Sequence, residues 1–132
     1  MSVASLSEEQ VAGFFERYAT AFDRRDWPVF VSLLHEPVLT VRSDGSVRCL
    51  RSHGEARAFF EGVADAWRHE GYHRFVASDY EIVSMGKRSL LATLDWKMLR
   101  EDGTVVRAWR QSYQLLEVEN EWKVLAFTYH AQ

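Results

Sequence analysis

Cysteine is almost absent from this sequence: Cys49 is the only one among 132 residues. Without a second cysteine, the chain can form no internal disulfide and no multi-cysteine zinc site. His69 and His73 have the four-residue spacing of some helical metal ligands, but Gly71 breaks the predicted helix between them. We therefore expect neither a metal nor a cofactor.

An excess of charge of one sign and a long apolar run are also lacking. The net charge is −3 with both signs interspersed, so no basic surface for nucleic acid is expected. Apolar runs such as FVSLL fall far short of the ~20 residues that cross a membrane. The first residues, MSVASLSEEQ, have no basic region followed by an apolar core, so no signal peptide is predicted. The default expectation is a soluble cytoplasmic domain that binds neither nucleic acid nor membrane.

Apolar and aromatic residues, by contrast, are abundant. Apolar residues make up 47% of the chain and aromatic residues 14%, which suffices for a core without disulfide or metal support. Large flat side chains, including five Trp, also line ligand cavities and dimer interfaces. No repeat, linker or low-complexity segment divides the chain, so a single domain over residues 1–132 is expected.

Three helices are predicted in the first half of the chain. Ser7, Asp26 and Ser52 are placed as N-caps, and Gln10 and Glu55 complete capping boxes at the first and third. The apolar residues at helical spacing are Val11, Phe14, Phe15, Tyr18, Ala19 and Phe22, then Phe30, Val31 and Leu34, then Ala56, Phe59, Phe60, Val63, Ala64 and Trp67.

Strands are predicted after the helices. Pro37 is expected to end the second helix and Gly71 the third, with a short hairpin over residues 38–51 between them. Longer β-rich runs separated by hairpin-sized breaks follow at residues 73–84, 89–100, 104–118 and 121–130. Helices followed by a meander predict an α+β fold with the helices on one face of the sheet.

The Asp102-Gly103 step sets the predicted register of the two central strands. As a two-residue loop, which this dipeptide favours, it pairs Glu101 with Thr104 and separates apolar pairs from polar ones. The inner pairs are Trp96–Trp109, Leu94–Gln111, Ala92–Tyr113 and Leu90–Leu115, and the outer pairs are Asp95–Arg110 and Thr93–Ser112.

The last strand depends on the loop at Glu119-Asn120. A two-residue loop places Thr128 and His130 on the inner face and Tyr129 on the outer face. A three-residue loop would exchange the two faces of this strand, so that its inner residues would lie on the outer face.

The strand before the central pair depends on the loop at residues 85–87. A three-residue loop turns Ser78, Tyr80 and Ile82 inward. A two-residue loop would turn Asp79 inward instead, where a carboxylate needs a buried partner.

The chain contains, in order, the stretches ERYATAFDRRDWPVFVSLLHEPVLTV, HGEARAFF and ENEWKVLAFTYH. Together with the predicted elements they resemble the nuclear-transport-factor-2-like superfamily, which includes SnoaL-like polyketide cyclases and ketosteroid isomerases. The resemblance implies an α+β cone, in which a curved mixed or antiparallel sheet wraps around three helices (a cystatin-like α+β barrel). It also implies a cavity at the open end and a homodimer through the outer sheet face.

In ketosteroid isomerases a tyrosine of the first helix donates to the developing oxyanion, and the resemblance places it at Tyr18. The strand aspartate that serves as base falls on Arg42, and a second aspartate falls near Arg110 or Gln111. Two of the three positions therefore depart from the isomerase pattern, one of them with opposite charge. This departure argues against a steroid isomerase that depends on that base.

Candidate site residues follow from the predicted inner face. Tyr18, His130 and Asp79 are the acid–base candidates, with helix–sheet packing, solvent exposure and an outward orientation as their ordinary explanations. Arg42 and Arg107 are interpreted as rim charges, with binding of a ligand carboxylate or phosphate as the alternative. The candidate ligand-contacting residues are Trp27, Arg42, Tyr80, Trp96, Trp109, Gln111, Tyr113 and Thr128.

Two classes of function fit these features. The first is a domain that binds a small apolar or polyketide-like molecule; if catalytic, it would run cyclisation, dehydration or isomerisation without a cofactor. The second is a non-catalytic dimeric module or accessory subunit whose cavity is filled by its own Trp side chains. Its partner surface would be the predicted outer row of Leu125, Phe127 and Tyr129.

Overall fold

The structure, a computed structural model, describes residues 6–130. These residues form three helices, α1 (Glu8–Asp23), α2 (Trp27–Ser32) and α3 (His53–His69). They also form six strands, β1 (Leu34–Val41), β2 (Val47–Leu50), β3 (Arg74–Ser84), β4 (Ser89–Leu99), β5 (Val105–Val118) and β6 (Glu121–Tyr129). Residues 1–5, where the segment predicted to contain no signal peptide begins, and residues 131–132 lie outside the described part.

The six strands form a mixed sheet in the order β2-β1-β6-β5-β4-β3. Strands β1 and β6 run parallel, and the other neighbours run antiparallel. The sheet is curved but does not close, and the three helices pack on it, which confirms the predicted α+β class. Within residues 6–130, no helix is both long and apolar enough to cross a membrane.

Side-chain caps start the helices where the sequence predicts them. At α1 both bonds of the capping box form: Gln10 N–H donates to Ser7 Oγ at 3.1 Å, and Ser7 N–H donates to Gln10 Oε1 at 2.9 Å. Ser52 Oγ accepts the N–H of Glu55 at 3.1 Å, and Asp26 accepts an N–H from the first turn of α2 at 3.4 Å. The Glu55 carboxylate accepts the N–H of the residue before the cap, so the second capping box is incomplete.

The second helix ends earlier than predicted. It stops at Ser32 rather than at Pro37, and Leu34 begins β1 instead of completing an apolar helical stripe. The Leu33 carbonyl accepts the N–H of Val124 in β6 at 2.8 Å, so pairing with the sheet replaces the next helical turn. Long-range strand pairing therefore overrides the local helical pattern here.

Gly62 offers a test of whether this part of α3 is a regular helix. It is exposed in the helix, and no heavy atom lies within 4 Å of the position a Cβ would take. Because helical glycine carries an entropic cost, Gly62→Ala is expected to raise the free energy of unfolding by about 0.5–1 kcal/mol in chemical denaturation. Gly71→Ala is the contrasting variant and should lower it, since Gly71 has a φ of +102°. A loss at Gly62 would mean that this part of α3 is not a regular helix.

The register predicted for β4 and β5 is confirmed, although the loop is different. Trp96 pairs with Trp109, as predicted. The loop spans three residues, because Arg100 N–H donates to the Thr104 carbonyl at 2.8 Å. A bulge lies between the Met98–Arg107 pair and the Leu99–Val105 pair. It compensates for the extra loop residue, so the predicted register holds along the rest of the two strands.

The loop between β5 and β6 is the predicted two-residue turn, but the last strand does not continue as predicted. Glu119 and Asn120 have φ values of 51° and 68°, which suits a type I′ hairpin. Leu115 pairs with Val124, whereas the preceding Gln114 pairs with Ala126, so the ladder contains a bulge at residue 125. Every side chain beyond the bulge therefore lies on the face opposite to the predicted one.

This bulge corrects the predicted positions at the end of β6. Phe127 is buried and Tyr129 is largely buried, both on the helix-covered face, so the predicted outer row of Leu125, Phe127 and Tyr129 is wrong. Thr128 pairs with Ser112 on the outer face rather than joining the inner one. Dimer formation itself stays a prediction.

A second bulge changes β3. Ser78 pairs with Asp95 and Glu81 with Thr93, so Asp79 and Tyr80 together occupy the space of one residue. Asp79 has a φ of 56° and is exposed. Tyr80 is partly buried on the inner face as predicted, but Ser78 lies on the outer face because it precedes the bulge.

The closed end of the cone is apolar. Leu90, Leu115 and Val124, which the sequence places together, are fully buried there. Phe15 of α1 contacts the Tyr113 ring with centroids 4.6 Å apart. This tightly packed end holds the sheet and helices in place around the opposite, open end.

Candidate functional site

Two adjoining cavities lie between the helices and the open end of the sheet. The inner cavity has a volume of about 40 Å³, enough for a few waters. The outer one, which we call the vestibule, has a volume of about 460 Å³, within the range of small-molecule pockets. Trp67, Trp109 and Tyr129 line both cavities and separate them.

The inner cavity is walled mainly by aromatic rings from the helices and sheet. Tyr18 of α1 lies 4.8 Å from Phe30 and 6.2 Å from Trp96, measured between ring centroids. The residues that line it are Tyr18, Ala19, Phe22, Phe60, Trp67, Phe75, Trp96, Trp109, Gln111, Tyr113 and Tyr129. An apolar wall with a few polar tips is the usual character of a ligand pocket.

A chain of hydrogen-bond donors leads to Tyr18. Trp96 Nε1–H donates to the Tyr113 hydroxyl at 2.8 Å. Burial raises the pKa of Tyr18 far above its ordinary value, Tyr129 raises it further, and a hydrogen bond from the Tyr113 hydroxyl lowers it. Burial likewise raises the pKa of Tyr113. Both phenols are therefore neutral at physiological pH and can act as donors but not as bases.

Gln111 supplies the second polar group of the inner cavity. Its Oε1 accepts the Trp109 Nε1–H at 2.8 Å, and the residue is 3% exposed. Among residues 6–130, the buried side-chain nitrogen or oxygen without a hydrogen-bond partner is Arg25 Nε, so Gln111 Nε2 is not an orphaned buried donor. The Gln111 amide gives this largely apolar cavity wall a polar group.

The vestibule joins aromatic surface to positive charge. Trp67 and Trp109 have ring centroids 5.7 Å apart, and Trp109 and Tyr129 are 6.3 Å apart. The remaining vestibule residues are Thr40, Arg42, Ser43, Phe59, Val63, Ala66, Arg107 and His130. Burial raises the pKa of Tyr129 to about 12, although Arg42 and Arg107 lower it.

No carboxylate lines either cavity within the described part of the chain. In the same residues, no group of three or more His, Cys, Asp or Glu could hold a metal ion. The arrangement can donate hydrogen bonds and attract negative charge. It offers no carboxylate base.

The structure brings most of the predicted residues together. Tyr18, Trp96, Gln111 and Tyr113 line the inner cavity, and Trp109 lines both cavities. Arg42 lies in the vestibule wall, as the resemblance and the predicted rim position suggested. The roles of these residues in binding stay predictions.

Trp27 and Tyr80 are not part of this site. Trp27 is 3% exposed and packs edge-on against Phe22 and Phe30, because the first turn of α2 directs its ring into the core. Tyr80 lies beside Phe15 in a separate groove between α1 and β3, displaced by the bulge that includes Asp79.

The remaining three residues lie away from the inner cavity for reasons of strand geometry. Asp79 is exposed at its bulge, so it is not an inward base. Thr128 faces outward beyond the bulge of β6. His130 contributes to the vestibule wall, but its Nε2 lies 2.7 Å from Ser112 Oγ on the outer face and not at the inner cavity.

The sequence interpretation missed part of the vestibule. Phe59, Val63 and Trp67 recur every four residues along α3 and form one flank of its apolar stripe. That spacing was a usable signal for a second, half-exposed row. Tyr129 had no such signal, because its face depends on the bulge.

Comparison with known proteins gives a family. The model of the family described as NTF2-like protein (DUF6841) matches residues 7–132. No curated protein matches the chain.

Solved structures share the fold at low identity. A protein of unknown function with a cystatin-like fold from Nostoc punctiforme PCC 73102 has a TM-score of 0.78 and 13% identity, covering 100% of this chain and 96% of that chain. Aln2 from a Streptomyces species has a TM-score of 0.75 and 15% identity, covering 96% and 94%. An NTF2-like protein from Novosphingobium aromaticivorans has a TM-score of 0.73 and 14% identity, covering 92% and 79%. At these identities the likeness shows the fold alone.

Proposed function

This chain belongs to the NTF2-like protein family (DUF6841), and we propose that it binds a small aromatic or apolar carbonyl compound at the open end of its cone. The observation that carries the proposal is the vestibule of about 460 Å³, walled by rings and adjoining a cavity whose wall includes the Gln111 amide. A ligand's flat body would lie against the vestibule rings. Its carbonyl would accept from Gln111 and Tyr18.

Entry of the carbonyl requires a small rearrangement. The inner cavity of about 40 Å³ is too small for a whole ligand, and the Trp109 indole closes it from the vestibule. Trp109 is only partly buried, so a change of its rotamer would join the two spaces. The same change would release Gln111 Oε1 from the indole and turn the whole amide toward the ligand.

Binding is favoured over base catalysis. An isomerase or cyclase of the carboxylate-dependent kind needs a base within reach of the substrate. The inner cavity provides neutral phenols and an amide, which polarise a carbonyl but remove no proton, and the His130 Nε2 of the vestibule wall is engaged by Ser112 Oγ on the outer face. A catalytic form of this site would therefore be limited to substrates that react through polarisation alone.

A second candidate is a non-catalytic module whose rings simply fill the interior. The small inner cavity favours it, because 40 Å³ is far below the roughly 300–1,000 Å³ of ligand pockets. The two candidates predict different results in a binding experiment. The module predicts no saturable binding of any aromatic ketone.

We expect 2-acetonaphthone to bind and to quench tryptophan fluorescence. Gln111→Leu should weaken this binding about tenfold, the worth of one buried hydrogen bond, while leaving naphthalene, which has no carbonyl, unaffected. Ala66→Phe should weaken both probes, because Ala66 is an exposed residue in the vestibule wall where a ring would take ligand space. Titration by fluorescence and calorimetry measures both effects.

Gly62→Ala is the matched control, since Gly62 lies on the same helix away from the cavity linings. It should leave both affinities unchanged. Absence of saturable binding to the unmodified protein would overturn the proposal and favour the filled module. Equal weakening of ketone and naphthalene binding by Gln111→Leu would show that Gln111 makes no specific contact with the ketone carbonyl.

A further inference from the structure

The two arginines of the vestibule differ in their partners. Arg107 Nη2 lies 3.0 Å from Glu70 Oε1, so its charge is shared with the carboxylate of the C-cap residue of α3. Within residues 6–130, no Asp or Glu oxygen lies within 4.0 Å of the Arg42 guanidinium. Arg107 is therefore paired, whereas Arg42 has no carboxylate of the described residues in direct contact and interacts at longer range with the exposed Asp44 of the β1–β2 turn.

Both guanidinium groups are directed toward the same region. Each lies in the vestibule wall, and each acts electrostatically on the Tyr129 hydroxyl. Arg107 also lies over the Trp109 ring, with its Cζ 5.8 Å from the ring centroid. This contact places a guanidinium at the edge of the aromatic surface where a flat ligand would rest.

This local charge runs against that of the whole protein. The chain carries a formal net charge of −3, yet the vestibule contains two arginines and one histidine and no carboxylate. Arg107 is neutralised by Glu70, and Arg42 remains as the guanidinium that no carboxylate of residues 6–130 contacts, its charge partly offset by the nearby exposed Asp44. Such a site matches a monoanion better than a dianion.

We propose that the vestibule selects amphipathic monocarboxylates: molecules with a flat apolar body and one carboxylate, the carboxylate bound by Arg42 and supported by Arg107. The planar guanidinium matches the two oxygens of a carboxylate, and the body rests on Trp67, Trp109 and Tyr129. This inference rests on the proposed function, because it names the chemical class of the molecule held there. A carbonyl at the other end of such a molecule would reach Gln111.

The test uses three naphthalene probes of the same body with different head groups. Naphthalene-2-carboxylate should bind the unmodified protein about tenfold more tightly than naphthalene-2-methanol at low ionic strength, and added salt should reduce the difference. 2-Naphthyl phosphate, a dianion near neutral pH, should bind no more tightly than the carboxylate. Affinities come from fluorescence titration and calorimetry.

Arg42→Gln should abolish the preference for the carboxylate and leave the alcohol's affinity unchanged. Arg88→Gln is the matched control, because Arg88 is exposed at the β3–β4 hairpin and the charge change is the same. It should keep the tenfold preference. Thermal unfolding of each variant shows whether the fold is retained, and both arginines are exposed, so both variants should fold.

The outcomes separate this inference from the proposed function. If the alcohol binds and the carboxylate binds no better, the anion preference is wrong while small-molecule binding stands. Equal losses in Arg42→Gln and Arg88→Gln would also overturn it, since the attraction would then belong to the whole surface. A phosphate that binds more than tenfold tighter than the carboxylate would contradict the monocarboxylate class. If no probe binds, the proposed function fails and this inference fails with it.

Discussion

Replacement of Phe127 by alanine is expected to lower the free energy of unfolding by about 3–5 kcal/mol. Phe127 is 2% exposed and lies 5.7 Å from Tyr113 and 6.0 Å from Phe60 between ring centroids. Truncation would leave a cavity between the sheet and α3, because neighbouring rings cannot collapse into it without moving the backbone. Urea denaturation, with the midpoint and slope fitted for each variant, measures the change.

Thr128→Ala is the matched control for this prediction. Thr128 is the next residue on β6 but faces the other side of the sheet, where it pairs with Ser112. We expect it to cost about 1 kcal/mol or less, as outer-face strand substitutions usually do. A larger loss at Thr128 than at Phe127 would show that the bulge at residue 125 does not form and that the unbulged register is correct.

The sequence predicts the regular parts of the helices and strands, but it does not predict the bulges. The capping residues and the apolar stripes of α1 and α3 are local signals, and the structure confirms the starts of those helices. The register of β4 and β5 was also recoverable, because apolar and polar pairs separate cleanly when Trp96 is placed opposite Trp109. Period-two patterns carry this information wherever both strands are regular.

An inserted residue in a strand has no comparable signature. Leu125 is an ordinary strand residue, and nothing in its neighbours indicates that β6 gains a residue there. The effect of that one residue on the site is large. Because of it, Phe127 and Tyr129 lie on the helix-covered face in place of the predicted Thr128 and His130, and Tyr129 joins the rings of the vestibule.

The errors therefore fall at the bulges of β3 and β6 and at the short helix α2 rather than across the site. Tyr18, Trp96 and Gln111 were placed correctly because a helical stripe and the central hairpin position them. Trp27 was misplaced because the direction of its short helix could not be judged from six residues. Residues positioned by long, regular elements were predictable, and those positioned by bulges and short helices were not.

One partly buried carboxylate, that of Asp23, lies outside the site and affects the stability of the cone. Asp23 ends α1, and its Oδ1 accepts the Tyr72 hydroxyl at 2.6 Å while its Oδ2 accepts the Phe75 N–H at 3.3 Å. These bonds join the end of α1 to the start of β3. Burial raises the pKa of Asp23 to about 6, against the lowering by Tyr72, Phe75, His73 and Arg74. The negative end of the helix dipole acts in the same direction as burial.

The protein should therefore be destabilised through Asp23 as the pH rises. In the unfolded chain the carboxyl ionises near pH 3.8, but in the folded protein it holds its proton up to about pH 6. The folded state thus binds more protons between these values, so the contribution is fully present below the lower pKa and is lost through the higher one. From pH 4.5 to 7.5 the loss amounts to about 2 kcal/mol.

The difference in free energy of unfolding between the unmodified protein and Asp23→Asn isolates this effect, because all other titrating groups are common to both. We expect that difference to shift by about 2 kcal/mol in favour of the unmodified protein when the pH is lowered from 7.5 to 4.5. Asp44→Asn is the control of opposite sign: hydrogen bonds from Ser46 lower the pKa of exposed Asp44, so its contribution is lost as the pH falls. A difference for Asp23→Asn that is independent of pH, or that runs the same way as for Asp44→Asn, would show that folding does not raise the pKa of Asp23 and that it stays ionised in the folded protein at acidic pH. The contact with Tyr72 would then hold a charged carboxylate, and α1 would be joined to β3 most strongly at neutral rather than acidic pH.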